Sequence, residues 1–337
     1  MDQAKEATKI VLAQPRGFCA GVERAVAMVE RALEIFGKPI YIRHEIVHNK
    51  SVIEDLENKG AVFVEDIAEI PEGSITIFSA HGISKKVHAE AQAKNLNIFD
   101  ATCPLVTKVH LEVHKFARDG RECILIGHSN HPEVEGTLGQ YSTVNGGKMY
   151  LIEDLQQAET IQVANPNHLA YVTQTTLSFD DTEEIVKVLR RRFPAMKEPY
   201  KNDICYATQN RQNAVKELVE ECQLVIVIGS RNSSNSNRLC ELAQKLGCTS
   251  YLIDDASELR PEWLDKVSSV GVTAGASAPE KLVVDVVNRL KEWGVAEVTQ
   301  AAGDKETVYF NLPTNMRRLT AASDSSPADM IATTKSN

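Results

Sequence analysis

The chain has 337 residues, 43% of them apolar and 25% charged, the make-up of a globular protein too long for one ordinary core. A net charge of −9 argues against nucleic acid as the main partner, because binding a phosphate backbone needs a basic surface. No apolar run approaches the roughly 20 residues that span a bilayer. The opening MDQAKEATKI also lacks the basic start and apolar stretch of a signal peptide, so the expectation is a cytoplasmic protein, with no membrane and with reduced thiols.

In chain order, KIVLAQPRGFC is an apolar strand-like run that ends at Cys19, where the amphipathic helix AGVERAVAMVERAL begins. KPIYIRHEIVHN is a strand running into a polar loop with His48. AVFVEDIAEI closes on acids, and ITIFSAHGIS is a short strand entering a small-residue loop with His81. The series then restarts. NIFDATC leads to Cys103 and the helix PLVTKVHLEVHKFA, with Pro104 suited to a first helical position. RECILIGHSNHPEVEG carries His131 and Glu133, MYLIEDLQQA closes on acids, and LAYVTQTTLS carries Thr175 and Thr176. A third round begins with YKNDIC, read as a strand ending at Cys205, and the helix YATQNRQNAVKELVEE. It continues through CQLVIVIGSRNSSNSN, SYLIDDASEL and SSVGVTAGASAP, which carry Ser233, Ser234, Asn235 and Ser277. ETVYFNLPTNM reads as one more extended element, and SDSSPADMIATTKSN, polar and aperiodic, as a disordered tail.

A threefold repeat of strands alternating with helices predicts an α/β fold of three similar domains, each with a parallel sheet, in a pseudo-threefold trefoil. The expected units are 15–103, 104–200 and 201–300, the last sheet completed by an N-terminal strand over 9–14. Residues 301–337 form an extension, disordered after about 320. Ligands bind beyond the carboxyl ends of such strands, so three facing sheet edges would enclose a central cavity.

Cys19, Cys103 and Cys205 each stand at the join that opens one round of the series and lie far apart in sequence, unlike the clustered cysteines of a zinc knuckle or ferredoxin. Three thiolates meeting at one point form a soft metal site with a vacancy, suited to zinc, copper(I) or an iron–sulfur cluster. Their positions at helix starts are expected to lower the thiol pKa. Cys123, Cys222, Cys240 and Cys248 have no counterparts and read as small buried hydrophobes. His48, His81 and His131, at strand ends, are expected to converge. Ser233, Ser234, Asn235 and Ser277 offer an anion site without lysine; the plainer reading is a solvated turn with helix caps. Glu133 beside a dry metal cavity would have its pKa raised toward neutrality and serve as a proton donor, with Thr175 and Thr176 placing a hydroxyl or water. The run Arg190, Arg191 and Arg192 reads as a solvated helix end rather than a docking patch.

Taken together, PRGFCAGVERAV, SAHG, DATCP, GHSNHPEVEGT, YVTQTTLS, GSRNSSNS and TAGASAPE resemble the 4-hydroxy-3-methylbut-2-enyl diphosphate reductase family, over about residues 9–315. The resemblance implies a [4Fe-4S] cluster held by Cys19, Cys103 and Cys205, with one iron open to the substrate's oxygen. The implied reaction consumes two electrons and two protons, expels water from a small allylic diphosphate, and yields isopentenyl and dimethylallyl diphosphates. Glu133 matches the family's proton donor and Thr175 the residue that places the hydroxyl and relays protons. His48, His81, His131, Ser233, Ser234, Asn235 and Ser277 match positions that hold the substrate. Reduced flavodoxin or ferredoxin supplies electrons in the family. A non-redox iron–sulfur hydro-lyase and an iron–sulfur redox sensor are the alternatives; the first would favour an arginine-rich carboxylate site and the second would not need Glu133.

Overall fold

The computed structural model of the chain describes residues 9–303 and 305–318. The first eight residues, read above as free of a signal peptide, and the tail expected to be disordered both lie outside the described residues.

The first round comprises strand β1 (Lys9–Leu12), helix α1 (Ala20–Phe36), β2 (Ile40–Arg43), α2 (Lys50–Lys59), β3 (Ala61–Val64), β4 (Ile75–Phe78), α3 (Lys85–Ala93) and β5 (Asn97–Asp100). The second comprises α4 (Pro104–Arg118), β6 (Glu122–Ile126), α5 (Pro132–Leu138), β7 (Met149–Ile152), α6 (Leu155–Thr160), β8 (Leu169–Thr173) and α7 (Phe179–Arg192). The third comprises α8 (Tyr206–Glu221), β9 (Leu224–Ile228), α9 (Ser234–Lys245), β10 (Thr249–Ile253), β11 (Ser269–Ala274), α10 (Glu280–Glu292), β12 (Glu297–Gln300) and the short α11 (Thr314–Arg318).

These strands make three wholly parallel sheets, ordered β3-β2-β4-β5, β7-β6-β8 and β10-β9-β11-β1-β12. The α/β class with three parallel sheets read from the repeat is therefore observed. Each sheet has the same inner trio, with the first strand after the cysteine-led helix at its centre. β5 adds to one edge of the first trio. β1 occupies the same place beside β11, where Ile10 pairs with Val270 on one side and Val298 on the other. The second trio has no such strand. YKNDIC, expected to be a strand, is irregular, and only Lys197 bridges to Ala170. The reason lies in its residues, because Asn202 and Asp203 use their side chains on local and inter-element bonds instead of a ladder.

Alternation along each central strand feeds two cores. Ile226 and Ile228 pack into the core under α10, while Val225 and Val227 face α8 and α9. Ile124 and Ile126 likewise separate from Cys123 and Leu125. All these side chains are buried, as expected for parallel strands covered by helices on both faces. Each aliphatic one contributes roughly 1.5–3 kcal/mol relative to exposure. The acids that close β3, β7 and β10 also have a use. Asp66, Asp154 and Asp255, each one residue further on, cap the short helices that follow, a contribution of about 1 kcal/mol apiece.

ETVYFNLPTNM, expected to be an extended element, has no strand and runs irregularly into α11. Its role is to tie units together. Met316 is fully buried in the core of the first sheet, Arg24 on α1 donates to Asn311 O at 3.1 Å, and Glu306 reaches Arg211 on α8. The arginine run ends α7 as expected. Arg190 pairs with Glu198, Arg191 with Glu159, and Arg192 donates to the carbonyls of Ala158 and Ile161. Among the described residues no helix is long and apolar enough to cross a membrane.

Candidate active site

Cys19, Cys103 and Cys205 are the N-cap residues of α1, α4 and α8, and all three line one central cavity. Gly21, one residue into α1, makes the approach possible. A Cβ there would sit 2.7 Å from Cys103 Sγ and 3.8 Å from Cys19 Sγ, so any side chain would fill the space between the sulfurs. The remaining four cysteines pack in or against the sheet cores, as expected of small hydrophobes.

The expectation that the helix starts lower these thiols is corrected. Burial pushes Cys103 up to about 12 and Cys205 up to about 11, and the Cys19 sulfur is the next cause in both. Backbone N–H groups do pull the other way, from Leu105 and Val106 on Cys103 and from Thr208 on Cys205. Desolvation outweighs them. Two thiols that resist becoming anions, with a third in the same cavity, suit a cationic partner, which would be bound in exchange for their protons. Among the described residues no three His, Cys, Asp or Glu side chains close around a point that could hold a single ion. A polynuclear iron–sulfur group takes one thiolate per iron, so its ligands need not converge on one atom.

Opposite the thiols, three imidazoles meet. His48 stacks on His81 with centroids 4.1 Å apart, and His131 meets both edge-on at 5.5 and 5.8 Å. His48 and His131 follow the equivalent strands β2 and β6, whereas His81 follows β4. Burial, then the neighbouring rings, hold His81 well below the usual imidazole range and His131 at about 3. His131 Nδ1 accepts from Glu133 N at 3.1 Å, which places its ring hydrogen on Nε2.

The third wall is the start of α9. Ser233 caps that helix and is buried, so the cap of the plainer reading is present but the solvated turn is not. Asn235 Oδ1 accepts from Ala276 N at 2.9 Å, leaving a buried Nδ2 without a partner. Ser234 Oγ accepts from Thr176 Oγ1 at 3.0 Å, and Ser277 Oγ donates to His48 O at 2.8 Å. An unpaired buried amide and a helix N-terminus make this wall suited to an anion.

Glu133 lies in the first turn of α5 and is only 3% exposed. Its two oxygens accept from Thr175 N at 2.6 Å and Thr175 Oγ1 at 2.9 Å. Burial still raises its pKa to about 7, because the two Thr175 bonds offset desolvation only in part. The residues expected to act together are thus brought together: thiols, imidazoles, the Ser/Asn wall, Glu133 and Thr175 all border one cavity.

Residues 10–291 match the family model described as LytB protein. The chain belongs to the LytB family. A relative from Pseudomonas entomophila (strain L48), named 4-hydroxy-3-methylbut-2-enyl diphosphate reductase, is 59% identical over 309 residues, covering 92% of this chain and 98% of its own. One of the same name from Azotobacter vinelandii is 58% identical over 308 residues, covering 91% and 98%. The solved structure of the E-1-hydroxy-2-methyl-but-2-enyl-4-diphosphate reductase from Plasmodium falciparum superposes with a TM-score of 0.84 at 36% identity, covering 98% of both chains. The family read from the motifs is the family found.

Several LytB residues around the cavity were not legible as site residues. Glu45 accepts from His48 at 2.9 Å, and Arg211 braces the segment before Cys19. The His-Glu-x-x-His spacing of HEIVH was the available signal for Glu45. Arg231, the one arginine in the ligand loops, turns away to Asp254 and Glu258, so the arginine-rich carboxylate site of a hydro-lyase is not built here.

Proposed function

We propose that this LytB-family chain reduces (E)-4-hydroxy-3-methylbut-2-enyl diphosphate to isopentenyl and dimethylallyl diphosphates, the last step of the methylerythritol phosphate route. The observation that carries this is a buried carboxyl, neutral up to about pH 7, in the same cavity as three thiols and an anion-binding helix start. Of those thiols, Cys19 and Cys103 lie in unit 15–103 and Cys205 in unit 201–300.

Bound to Cys19, Cys103 and Cys205, a [4Fe-4S] cluster supplies two electrons, received from a reduced flavodoxin or ferredoxin, and a Lewis-acidic iron that no cysteine occupies. The chain's own residues do the rest. The diphosphate lies against the start of α9, where Asn235 Nδ2 and the Ser233 and Ser234 hydroxyls face it, with His131 Nε2–H on the other side and His48 and His81 beside it. Ser277 joins by exchanging His48 O for a diphosphate oxygen. When Glu133 carries its proton, its O–H donates to Thr175 Oγ1, and the Thr175 hydroxyl hydrogen is released toward the substrate's hydroxyl. That proton leaves with the oxygen as water, and a second proton reaches one of two allylic carbons, which gives two products. Enclosure by the imidazoles and the apolar lining excludes competing water.

The test is turnover of the hydroxymethylbutenyl diphosphate by anaerobically purified protein with a chemical reductant. Both isomers should form, and Glu133→Gln should keep its iron while losing product. Full iron with no product from the unaltered protein would overturn the reading.

A further inference from the structure

The three imidazoles of the cavity are not alike. His131 Nδ1 is tied to a backbone N–H and His81 Nδ1 faces the Ser79 hydroxyl at 3.3 Å. Only His48 has a carboxylate on Nδ1, Glu45 Oε2 at 2.9 Å, while its Nε2 is buried and unpartnered. Glu45 is also held from across the cavity, because Asn232 Nδ2, in the loop before α9, donates to the same oxygen at 2.8 Å. Two further bonds fix that junction: Ser277 Oγ to His48 O, and Lys50 N to Ser230 Oγ at 3.0 Å.

We infer that Glu45 is a positioning residue that keeps the proton on His48 Nδ1 and makes His48 the cationic donor to the substrate's diphosphate. This rests on the reading that His48 faces the diphosphate. A neutral His48 with Nδ1–H would present only a lone pair to an anion. With Glu45 on Nδ1 the ring can carry a second proton, so Nε2–H donates and a positive charge faces the phosphates. Consistently, Glu45 is held below the usual carboxylate range, first by its bond to His48. The other charged and titratable groups near His48 are His44 on its own loop with its partner Glu65, His81 and His131 across the ring stack, and His128, Arg238 and Glu241 in the adjoining pocket. Burial is the first cause that lowers His44, His81 and His131, so near neutral pH these rings are uncharged and Glu45 is the charged group bonded to His48. A pocket of about 580 Å³ that shares His48, His131 and Ser234 with the cavity is also lined by Glu45 and Asn232.

Glutamine at Glu45 keeps an acceptor for both donors and removes only the charge. In Glu45→Gln the KM near neutral pH should rise about tenfold with kcat little changed, and the alkaline fall in kcat/KM should move to lower pH. Because Glu133 titrates in the same range, the decisive measurement is calorimetric binding of inorganic diphosphate to the oxidised, cluster-loaded Glu133→Gln protein, with and without Glu45→Gln. Binding should weaken about tenfold at pH 7.5 and less at pH 5.5. Unchanged binding, or a loss that does not depend on pH, would overturn the inference. His48→Ala separates the two claims. If it leaves binding intact, His48 does not face the diphosphate and the underlying reading fails. If it weakens binding while Glu45→Gln does not, that reading stands and the role of Glu45 is refuted.

Discussion

Arg211 and Glu306 form an ion pair at 3.0 Å whose guanidinium has no exposed surface. The same guanidinium donates to Gly17 O at 3.0 and 2.6 Å and to Phe18 O at 3.2 Å, the carbonyls just before Cys19. Arg211 itself lies on α8, the helix that Cys205 caps. One carboxylate from the C-terminal segment therefore steadies two thiol-bearing segments. Removing it strands a buried cation, and Glu306→Ala should cost roughly 3 kcal/mol in denaturant unfolding. A change below about 0.5 kcal/mol, the range of ordinary surface substitutions, would contradict this account.

Gly21→Ala isolates the thiol cavity from the fold. Alanine within α1 gains up to about 1 kcal/mol in helix propensity over glycine, so helical content should be retained. Its Cβ, however, would lie 2.7 Å from Cys103 Sγ. Iron content per chain after anaerobic reconstitution should fall severalfold while circular dichroism stays unchanged. Full iron content in the alanine variant would show that the space between the sulfurs is not needed.

A proton donor must hold its proton, and Glu133 does so up to about pH 7. Activity limited by this step should decline as pH rises through that value. Glu133→Gln should lower kcat by roughly 10²–10⁴-fold and abolish that limb of the profile. A variant that kept both rate and profile would reassign the donor.

The same burial has a stability consequence with a definite sign. The native carboxyl binds its proton more tightly than in the unfolded chain, so stability is greatest below the ordinary carboxylate range. It falls as pH rises toward about 7. The loss is roughly 3 kcal/mol once Glu133 is ionised. Glu133→Gln removes this dependence and should stabilise the protein more at pH 8 than at pH 5, as read from denaturation midpoints. Equal effects at the two pH values would refute it.

The β/α rhythm was legible because strand and helix periods are local properties. The cysteine trio was legible because repetition marks equivalent places. YKNDIC misled because an apolar isoleucine before a cysteine resembles its counterparts, while Asn202 and Asp203 spend their side chains elsewhere. The thiol acidities were misjudged because a helix terminus can be read from sequence, but the depth of burial that outweighs it depends on three sheets closing together. Arg211 looked like one polar position among many on α8, since its partners are nearly two hundred residues earlier and nearly a hundred later. Glu45 needed the fold of its loop, which brings it back onto His48.

β1, the opening strand, is wedged between β11 and β12. On a ribosome its neighbours emerge only after most of the polypeptide has been made. The loop bearing Cys19 can settle only once that late-made ladder forms, so a nascent chain has no finished trio of sulfurs to offer passing iron. Any metal loading on these sulfurs would then be an event of the completed molecule, timed by its long-range strand pairing.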